Sequence, residues 1–501
     1  MRLTTNKTKN GISYYIIRSV RRDGKRSSEV VERLGTEREI MEKYHCTDAN
    51  KWAKAHLDEL NQAEAEKQHK VLVPLRTDIL IPFDKQNSYN VGYLFLQKIY
   101  YDLRLPNICR KISKEYSFSY DLDSILSRLV YERILNPSSK LSCYEQSSDL
   151  LEPPAFELHQ IYRALSVIAN ESDSIQAELY EASRRLVKRQ TGVLYYDCTN
   201  YFFETECQEG LKQYGPSKEH RPSPIVEMGL FIDRSGIPLA FCIHPGNTNE
   251  QTTLIPLEEQ ILRDFSLSKF IVCTDAGLSS ERNRKFNNFG GRCFITTQSI
   301  KKLKKDLRQW CLEPTGWHLK DSLDTYDISR LEDTAKNRSK LFYKQLYVEG
   351  NDGKRDIDFD QTLIVTYSLK YRNYQQQIRN QQILRAIKAI DTEPKRIDKH
   401  SQNDYRRFIK KTSITADGEC AANKIYEIDQ DAVQEEAQYD GFYAVYTNLD
   451  DDPSEIAAVN QGRWEIEESF RIMKSEFEAR PVYLKRDDRI KLTLRHVLSR
   501  F

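Results

Sequence analysis

The spacing of apolar residues changes several times along this chain, and each change predicts a different kind of element. Ser13–Arg18 and Ser28–Arg33 are short, rich in β-branched and aromatic residues, and flank Asp23-Gly24, so they predict a β-hairpin. Residues 36–70 are polar and helix-prone. Between 86 and 190 the apolar positions recur every three or four residues, as in Val91, Leu94, Phe95, Ile99 and Tyr100. Ser124–Leu135 is an amphipathic helix, and Leu105-Pro106-Asn107 and Asn136-Pro137-Ser138 read as helix breaks. From 190 to 300 the pattern becomes short apolar runs that predict strands near 192–203, 225–233, 237–244, 269–275 and 292–297. Asp233-Arg234-Ser235-Gly236 supplies a hairpin turn between the second and third of these. Farther on, Lys340–Tyr343 and Thr362–Tyr367 are strand-like, and Gln375–Ile390 is a polar helix. Tyr439–Asn448 returns to a strand pattern. Asp452-Pro453 reads as an N-cap followed by proline at the first helical position.

Composition narrows the class. A chain of 501 residues has room for two to four domains. Charged residues make up 30%, and the mean hydropathy of −0.67 describes a heavily charged surface. No apolar run approaches the ~18 residues of a membrane span, and Met1–Lys7 lacks the apolar core of a signal peptide, so the expectation is a cytoplasmic protein. The net charge of +2 is small, so any surface for nucleic acid must come from local basic patches. Two such patches stand out: Arg18, Arg21, Arg22, Lys25 and Arg26 at the hairpin tip, and Arg396, Lys399, Arg406, Arg407, Lys410 and Lys411. Either could grip a DNA backbone or be a solvated charge run. The 10 cysteines are scattered, with no C-x-x-C pair, and read as reduced thiols, not zinc ligands or a disulfide framework.

Three carboxylates carry the candidate chemistry. In Arg463-Trp464-Glu465-Ile466-Glu467 and on to Lys474, the residues Arg463, Glu467 and Lys474 fall within roughly 40° of one another on a helix. Ile466, Phe470, Met473 and Phe477 form an apolar stripe on the adjoining face. The helix is either an ordinary amphipathic one with i,i+4 ion pairs or the wall of a charged cleft. Asp197 lies inside the apolar run Gly192–Phe203, where an ionised carboxylate is unfavourable unless paired or bound to a cation. Asp275 ends the run Phe270–Thr274, where open α/β sheets place ligands. A hydrogen-bonded core aspartate and a helix cap are the simpler readings of these two.

A strand aspartate, a strand-end aspartate and a helical glutamate, in this order, resemble insertion-sequence DDE transposases of the subgroup with a Y-(2)-R-(3)-E-(6)-K signature. Arg463, Glu467 and Lys474 match its R, E and K, whereas Asn460 stands where the signature has Tyr. Tyr196–Asn200 and Thr274–Gly277 are similar to the family's two aspartate motifs. Gly229–Phe231, Gly236–Pro238, Gly246–Glu250, Asp440–Phe442 and Arg480–Val482 resemble further family blocks. The likeness covers residues 190–300 and 439–485 well and the N-terminal region loosely.

The resemblance implies an α/β fold: a ribonuclease H-like mixed sheet flanked by helices, interrupted by a mostly β insertion, with N-terminal β-hairpin and helical domains. The expected division is 1–70, hairpin and helix; 71–190, a helical domain for DNA binding or dimerisation; 191–304, the first part of the core; 305–438, the insertion; and 439–501, the last part of the core. Apolar residues still recur where the sequence stops, so a truncated last part is part of this expectation. The implied activity is cleavage at element ends and strand transfer into target DNA, with double-stranded DNA as partner and a homodimer in the DNA complex. Asp197, Asp275 and Glu467 would be catalytic and would hold two Mg²⁺ ions, with Mn²⁺ as a substitute. Such ions, about 3.5–4 Å apart, neutralise the attacking and the leaving oxygen. Arg463 and Lys474 would hold flanking phosphates. A two-metal nuclease without strand transfer and an inactive DNA-binding descendant of a transposase are the alternatives.

Overall fold

The computed structural model describes all residues except 9–10, 23–24, 68–77, 79, 81–82, 84–87, 153, 351–358, 393–403, 415–419, 485 and 492–501. The chain divides into two compact units, Met1–Tyr101 with Gln146–Pro153, and Asp102–Glu145 with Pro154–Phe501. The boundary expected near residue 70 and the hairpin turn at Asp23-Gly24 lie outside the described residues.

The first unit contains a three-stranded antiparallel sheet of β1 (Arg2–Thr8), β2 (Gly11–Arg22) and β3 (Lys25–Thr36), in that order. The hairpin of β2 and β3 is longer than its apolar runs suggest, and β1 had no signature because its sequence is almost wholly polar. Helix α1 (Glu37–Tyr44) starts from a capping box between Thr36 and Glu39. With α2 (Ala49–Lys67) it closes a small core of Tyr14, Ile16, Leu34, Ile40, Ala49 and Ala53. In α3 (Tyr93–Asp102), Tyr93 and Gln97 both donate to Glu152.

The second unit begins with the helices α4 (Leu105–Glu115), α5 (Leu122–Leu135), α6 (Lys140–Gln146), α7 (Leu158–Asn170) and α8 (Ser172–Leu186). Pro106 sits in the first turn of α4, where its missing N–H is harmless, so Leu105-Pro106 opens a helix as well as interrupting the periodicity. The strands then follow close to their expected places: β4 (Val193–Phe202), β5 (Ile225–Asp233) and β6 (Pro238–Pro245). Next come α9 (Leu254–Asp264), β7 (Ile271–Thr274), α10 (Glu281–Phe286) and β8 (Cys293–Gln298). Gly236, at φ +78°, closes the β5–β6 turn, and Asp233 accepts from Ser235 and Ile237 there.

Residues 305–438 depart from the expected mostly β insertion. They begin with α11 (Lys305–Leu312), β9 (His318–Leu319), α12 (Ala335–Arg338), β10 (Phe342–Val348) and β11 (Gln361–Tyr367). They continue with the 24-residue α13 (Leu369–Thr392), β12 (Ile409–Ile414), β13 (Cys420–Ile428) and α14 (Gln430–Ala437). Only β12 and β13 form a sheet of their own. The strands β9, β10 and β11 join β14 (Phe442–Thr447) in the central sheet, because the apolar faces of β10 and β11 bury against Phe294, Trp317 and Tyr446. Arg406 and Arg407 of the basic run pair with Asp404 and Glu436, while Arg396 and Lys399 lie outside the described residues.

The result is a nine-stranded mixed sheet of order β6-β5-β4-β7-β8-β14-β11-β10-β9. The pairs β4–β7 and β7–β8 are parallel, and the other neighbours are antiparallel. One face packs on α8 and α9 through Tyr196, Phe231, Leu257 and Ile261. The other carries α15 (Pro453–Gln461) and α16 (Trp464–Ser475), whose Ile456, Ile466, Phe470 and Met473 share a core with Tyr195, Met228, Leu230 and Cys273. Asp452 caps α15, accepting from Ser454 at 2.8 Å, with Pro453 at the first position. Among the described residues no helix is long and apolar enough to cross a membrane.

Candidate functional site

The parallel pairing of β4 with β7 brings two of the three acids together. Tyr195 pairs with Cys273 at the end of the ladder, Asp197 and Asp275 each follow two residues farther on, and the charge of Asp275 acts on Asp197. The face that Tyr195 and Cys273 share is the one under α15 and α16, because both belong to its core. Each aspartate is anchored through one oxygen. Asp197 Oδ1 accepts from the Cys198 N–H at 2.7 Å. Asp275 Oδ1 accepts from Gly277 and Leu278 at 2.9 and 3.1 Å, capping the short turn that follows. Asp275 is thus a cap and a cleft residue at once.

Their proximity appears in the electrostatics. Burial pushes the Asp197 carboxyl up to about 6, and Asp275 adds to the rise; Lys218, the Cys198 N–H and Arg463 offset only part of it. Burial pulls Arg463 down, but Cys273, Tyr443, Asp197 and Asp275 together leave it above its ordinary value. Arg463 Nε is buried without a hydrogen-bond partner.

Helix α16 runs along β4. Tyr195 donates to the carbonyl of Val459 just before the helix, at 2.9 Å, and Tyr201 reaches Met473 near its end. Arg463 and Lys474 therefore stand toward opposite ends of the stretch Tyr195–Tyr201, with Asp197 between them. Lys474 Nζ lies 5.9 Å from the centre of the Tyr201 ring. Burial lowers the Lys474 ammonium, and Lys218 lowers it further.

Glu467 falls on the same helical stripe but is exposed, and it pairs with neither Arg463 nor Lys474 among the described residues. The surface ion pairs of this helix are instead Arg471 with Glu468 at 2.6 Å and with Glu476 at 3.3 Å. Nor does Glu467 join the two aspartates: the described residues contain no group of three His, Cys, Asp or Glu side chains placed to hold a metal.

Asn460, at the position of the signature tyrosine, points into the protein. Its Oδ1 accepts from Cys273 Sγ at 3.3 Å, and its Nδ2 donates to the Tyr443 hydroxyl at 2.9 Å. A phenol is present at this spot after all, supplied by β14.

Sequence reasoning missed a second charged group beside Asp197. Lys218, in the long connection from β4 to β5, pairs with Glu250 at 3.0 Å and donates to the Cys198 carbonyl. Glu227 on β5 is held well above the usual carboxylate range by burial and by Glu250. Glu250 ends the block Gly246–Glu250, but Lys218 lies in a polar loop without periodicity, and only the folded chain reveals it.

Comparison with known proteins bears on this arrangement. Among solved structures, the chain is similar to a piggyBac transposase in a synaptic complex with hairpin DNA, at 10% identity and a TM-score of 0.35, over 78% of this chain and 70% of that one. It is also similar to the Mos1 transposase in a paired-end complex with the left transposon end, at 12% identity and a TM-score of 0.15, over 34% and 58%. No curated protein matches the sequence significantly. A family model described as Transposase DDE domain matches residues 208–498, a span that holds Lys218, Asp275, Arg463, Glu467 and Lys474 and starts downstream of Asp197. The chain thus belongs to the Transposase DDE domain family and is a DNA transposase.

Proposed function

We propose that this transposase cuts DNA at the ends of a mobile element and joins them to target DNA at one site built on Asp197, Asp275 and Glu467. The observation that supports the assignment is that Asp197 and Asp275 each follow, by two residues, the last pair of the β4–β7 ladder, Tyr195 and Cys273, on the face under α16. Family membership supplies the reaction class. The order of β4 to β8 in the sheet supports a ribonuclease H-like core, and the spacing of Arg463, Glu467 and Lys474 supports the Y-R-E-K subgroup, from which Asn460 departs.

The donor set fits a hard divalent cation such as Mg²⁺, with Mn²⁺ as a substitute. Asp197 and Asp275 are oxygen donors, each anchored by backbone N–H groups through one oxygen, and burial, with a smaller effect of Asp275, raises the Asp197 carboxyl. Glu467 does not complete the set in the described geometry; it would join from the same stripe of α16. When bound, two such ions activate the attacking oxygen and neutralise the leaving one. The chain's own residues supply the rest. Asp197 and Asp275 fix where the scissile phosphate sits. Arg463 and Lys474, near the two ends of the β4 stretch, hold the phosphates on either side of it. We also place the protein in the cytoplasm and expect a homodimer to hold two element ends.

The test is metal-dependent cleavage of element-end DNA by Asp197→Asn and Asp275→Asn. Both should lose cleavage in Mg²⁺ and in Mn²⁺ while binding the same DNA, because affinity comes mostly from cations on phosphates. A purified Asp197→Asn protein that cleaves near the wild-type rate would remove the assignment.

A further inference from the structure

Lys218 lies outside the charged helix from which the site was read, yet several features converge on it. Its connection is tied to β4 twice. The Lys218 N–H donates to Asn200 Oδ1 at 3.4 Å, and Asn200 Nδ2 donates to the Pro216 carbonyl at 3.2 Å. The ammonium then reaches the carbonyl of Cys198, next to Asp197, and Glu250 Oε1 at 3.0 Å. Lys474 approaches the same strand three residues farther on, over the Tyr201 ring. The side chain of Lys218 is 39% exposed, so its ammonium still meets solvent.

Two lysines converging on one short stretch of strand repel each other, and the repulsion is visible in Lys474. Glu250 offsets Lys218. Lys474 has no carboxylate ion pair among the described residues. A bare loop staple would need only the Lys218–Glu250 pair, and a partly exposed pair of that kind is worth little. An anion beside this stretch would relieve Lys474, while Asp197 and Glu250 already hold Lys218 above its ordinary value against burial. The anion that belongs beside Asp197 in this enzyme is a backbone phosphate.

We propose that Lys218 is a phosphate-binding residue of the DNA groove, acting with Lys474 along the Cys198–Tyr201 segment and held in place by Glu250. It positions the strand and takes no part in bond breaking. The proposal rests on the functional reading above and extends the groove from α16 to the β4–β5 connection.

The experiment is a salt titration of binding to a labelled duplex of mixed sequence, without divalent metal, for wild type, Lys218→Ala, Lys474→Ala and the double variant. Each single substitution should lower the slope of log affinity against log salt by about 0.9, and the double variant by roughly twice that, as expected for two phosphates. Lys218→Arg should restore the wild-type slope. If Lys218→Ala lowers thermal stability and leaves the slope unchanged, Lys218 is only a loop staple and the proposal falls. Should Lys218→Ala fail to fold, Lys218→Gln, which keeps a donor toward Cys198 and Glu250, takes its place, and an unchanged slope again overturns it. A flat result for Lys218 with a reduced slope for Lys474 leaves the transposase site standing. Cleavage that survives Asp197→Asn removes the site, whatever the slopes.

Discussion

Replacing Asp197 with Asn should make the protein more stable at neutral pH while destroying its chemistry. Burial and Asp275 raise the Asp197 carboxyl to about 6, and Lys218, the Cys198 N–H and Arg463 recover only part of the loss. A carboxylate with a folded-state pKa above its unfolded value binds an extra proton in the fold. Its contribution is therefore most favourable below the ordinary aspartate range and declines as pH rises through about 6. A displacement of about two pH units corresponds to roughly 3 kcal/mol. Asp197 is half-buried, so solvent screening brings the expected effect to about 1–3 kcal/mol. Asparagine keeps the shape and stays neutral. In EDTA at pH 8, Asp197→Asn should melt a few degrees above wild type, at about 2 °C or more per kcal/mol. The gap should close near pH 4–5, where the wild-type carboxyl is protonated. Added Mg²⁺ should raise the melting point of the wild type and leave the variant unmoved. Differential scanning fluorimetry at the two pH values measures all of this. A variant less stable than wild type at pH 8 would mean that Asp197 is a satisfied structural carboxylate, and the reasoning from its burial would be wrong.

Two other substitutions separate structure from chemistry. Glu467→Gln should leave the melting point within about 0.5 kcal/mol of wild type, as for an exposed site, yet abolish metal-dependent cleavage; retained cleavage would assign the third acid elsewhere. Asn460→Tyr, which restores the signature residue, should destabilise by about 1–3 kcal/mol, because the ring must enter the buried slot between Cys273 and Tyr443; a stable variant with unchanged near-ultraviolet circular dichroism would show that the slot is looser than its hydrogen bonds suggest.

The central strands β4 and β5 were legible because they are buried on both faces and their apolar runs are continuous. In β5, every residue from Ile225 to Asp233 is buried. Asp197 and Asp275 were legible for the same reason, as charges standing where the pattern demands apolar residues. Helix α16 was legible from its stripe of Ile466, Phe470 and Met473, all buried. What could not be read was pairing at long range. Nothing local in Phe342–Val348 or Gln361–Tyr367 says that these strands extend the sheet beyond β14 and do not form a separate module. Lys218 was hidden because a lysine in a polar loop looks like any solvated lysine until Cys198 and Glu250 are found beside it. That the Asn460 side chain faces the sheet and meets Tyr443 there could not be read from its place in the signature.

The junction between α15 and α16 explains why the site is fixed at one end and open at the other. Tyr195 on β4 holds the Val459 carbonyl, Cys273 on β7 holds Asn460, and Asn460 in turn holds Tyr443 on β14. Three strands thus grip two consecutive residues at the end of α15. Arg463 follows within one turn, so its position relative to Asp197 and Asp275 is set by the sheet itself. Glu467 lies one turn farther on, exposed, on a helix whose Ile466, Phe470 and Met473 pack into the core. A glutamate there is placed in direction but not in rotamer. Burial and Asp275 already disfavour the charge of Asp197, and a third carboxylate would add to that until positive charge offsets it. A proteinaceous cation on the same stripe, Arg463, and lysines at the far end supply part of that offset. On the proposed function, the aspartates would form the rigid part of the site, and Glu467 the part that bound metal would draw in.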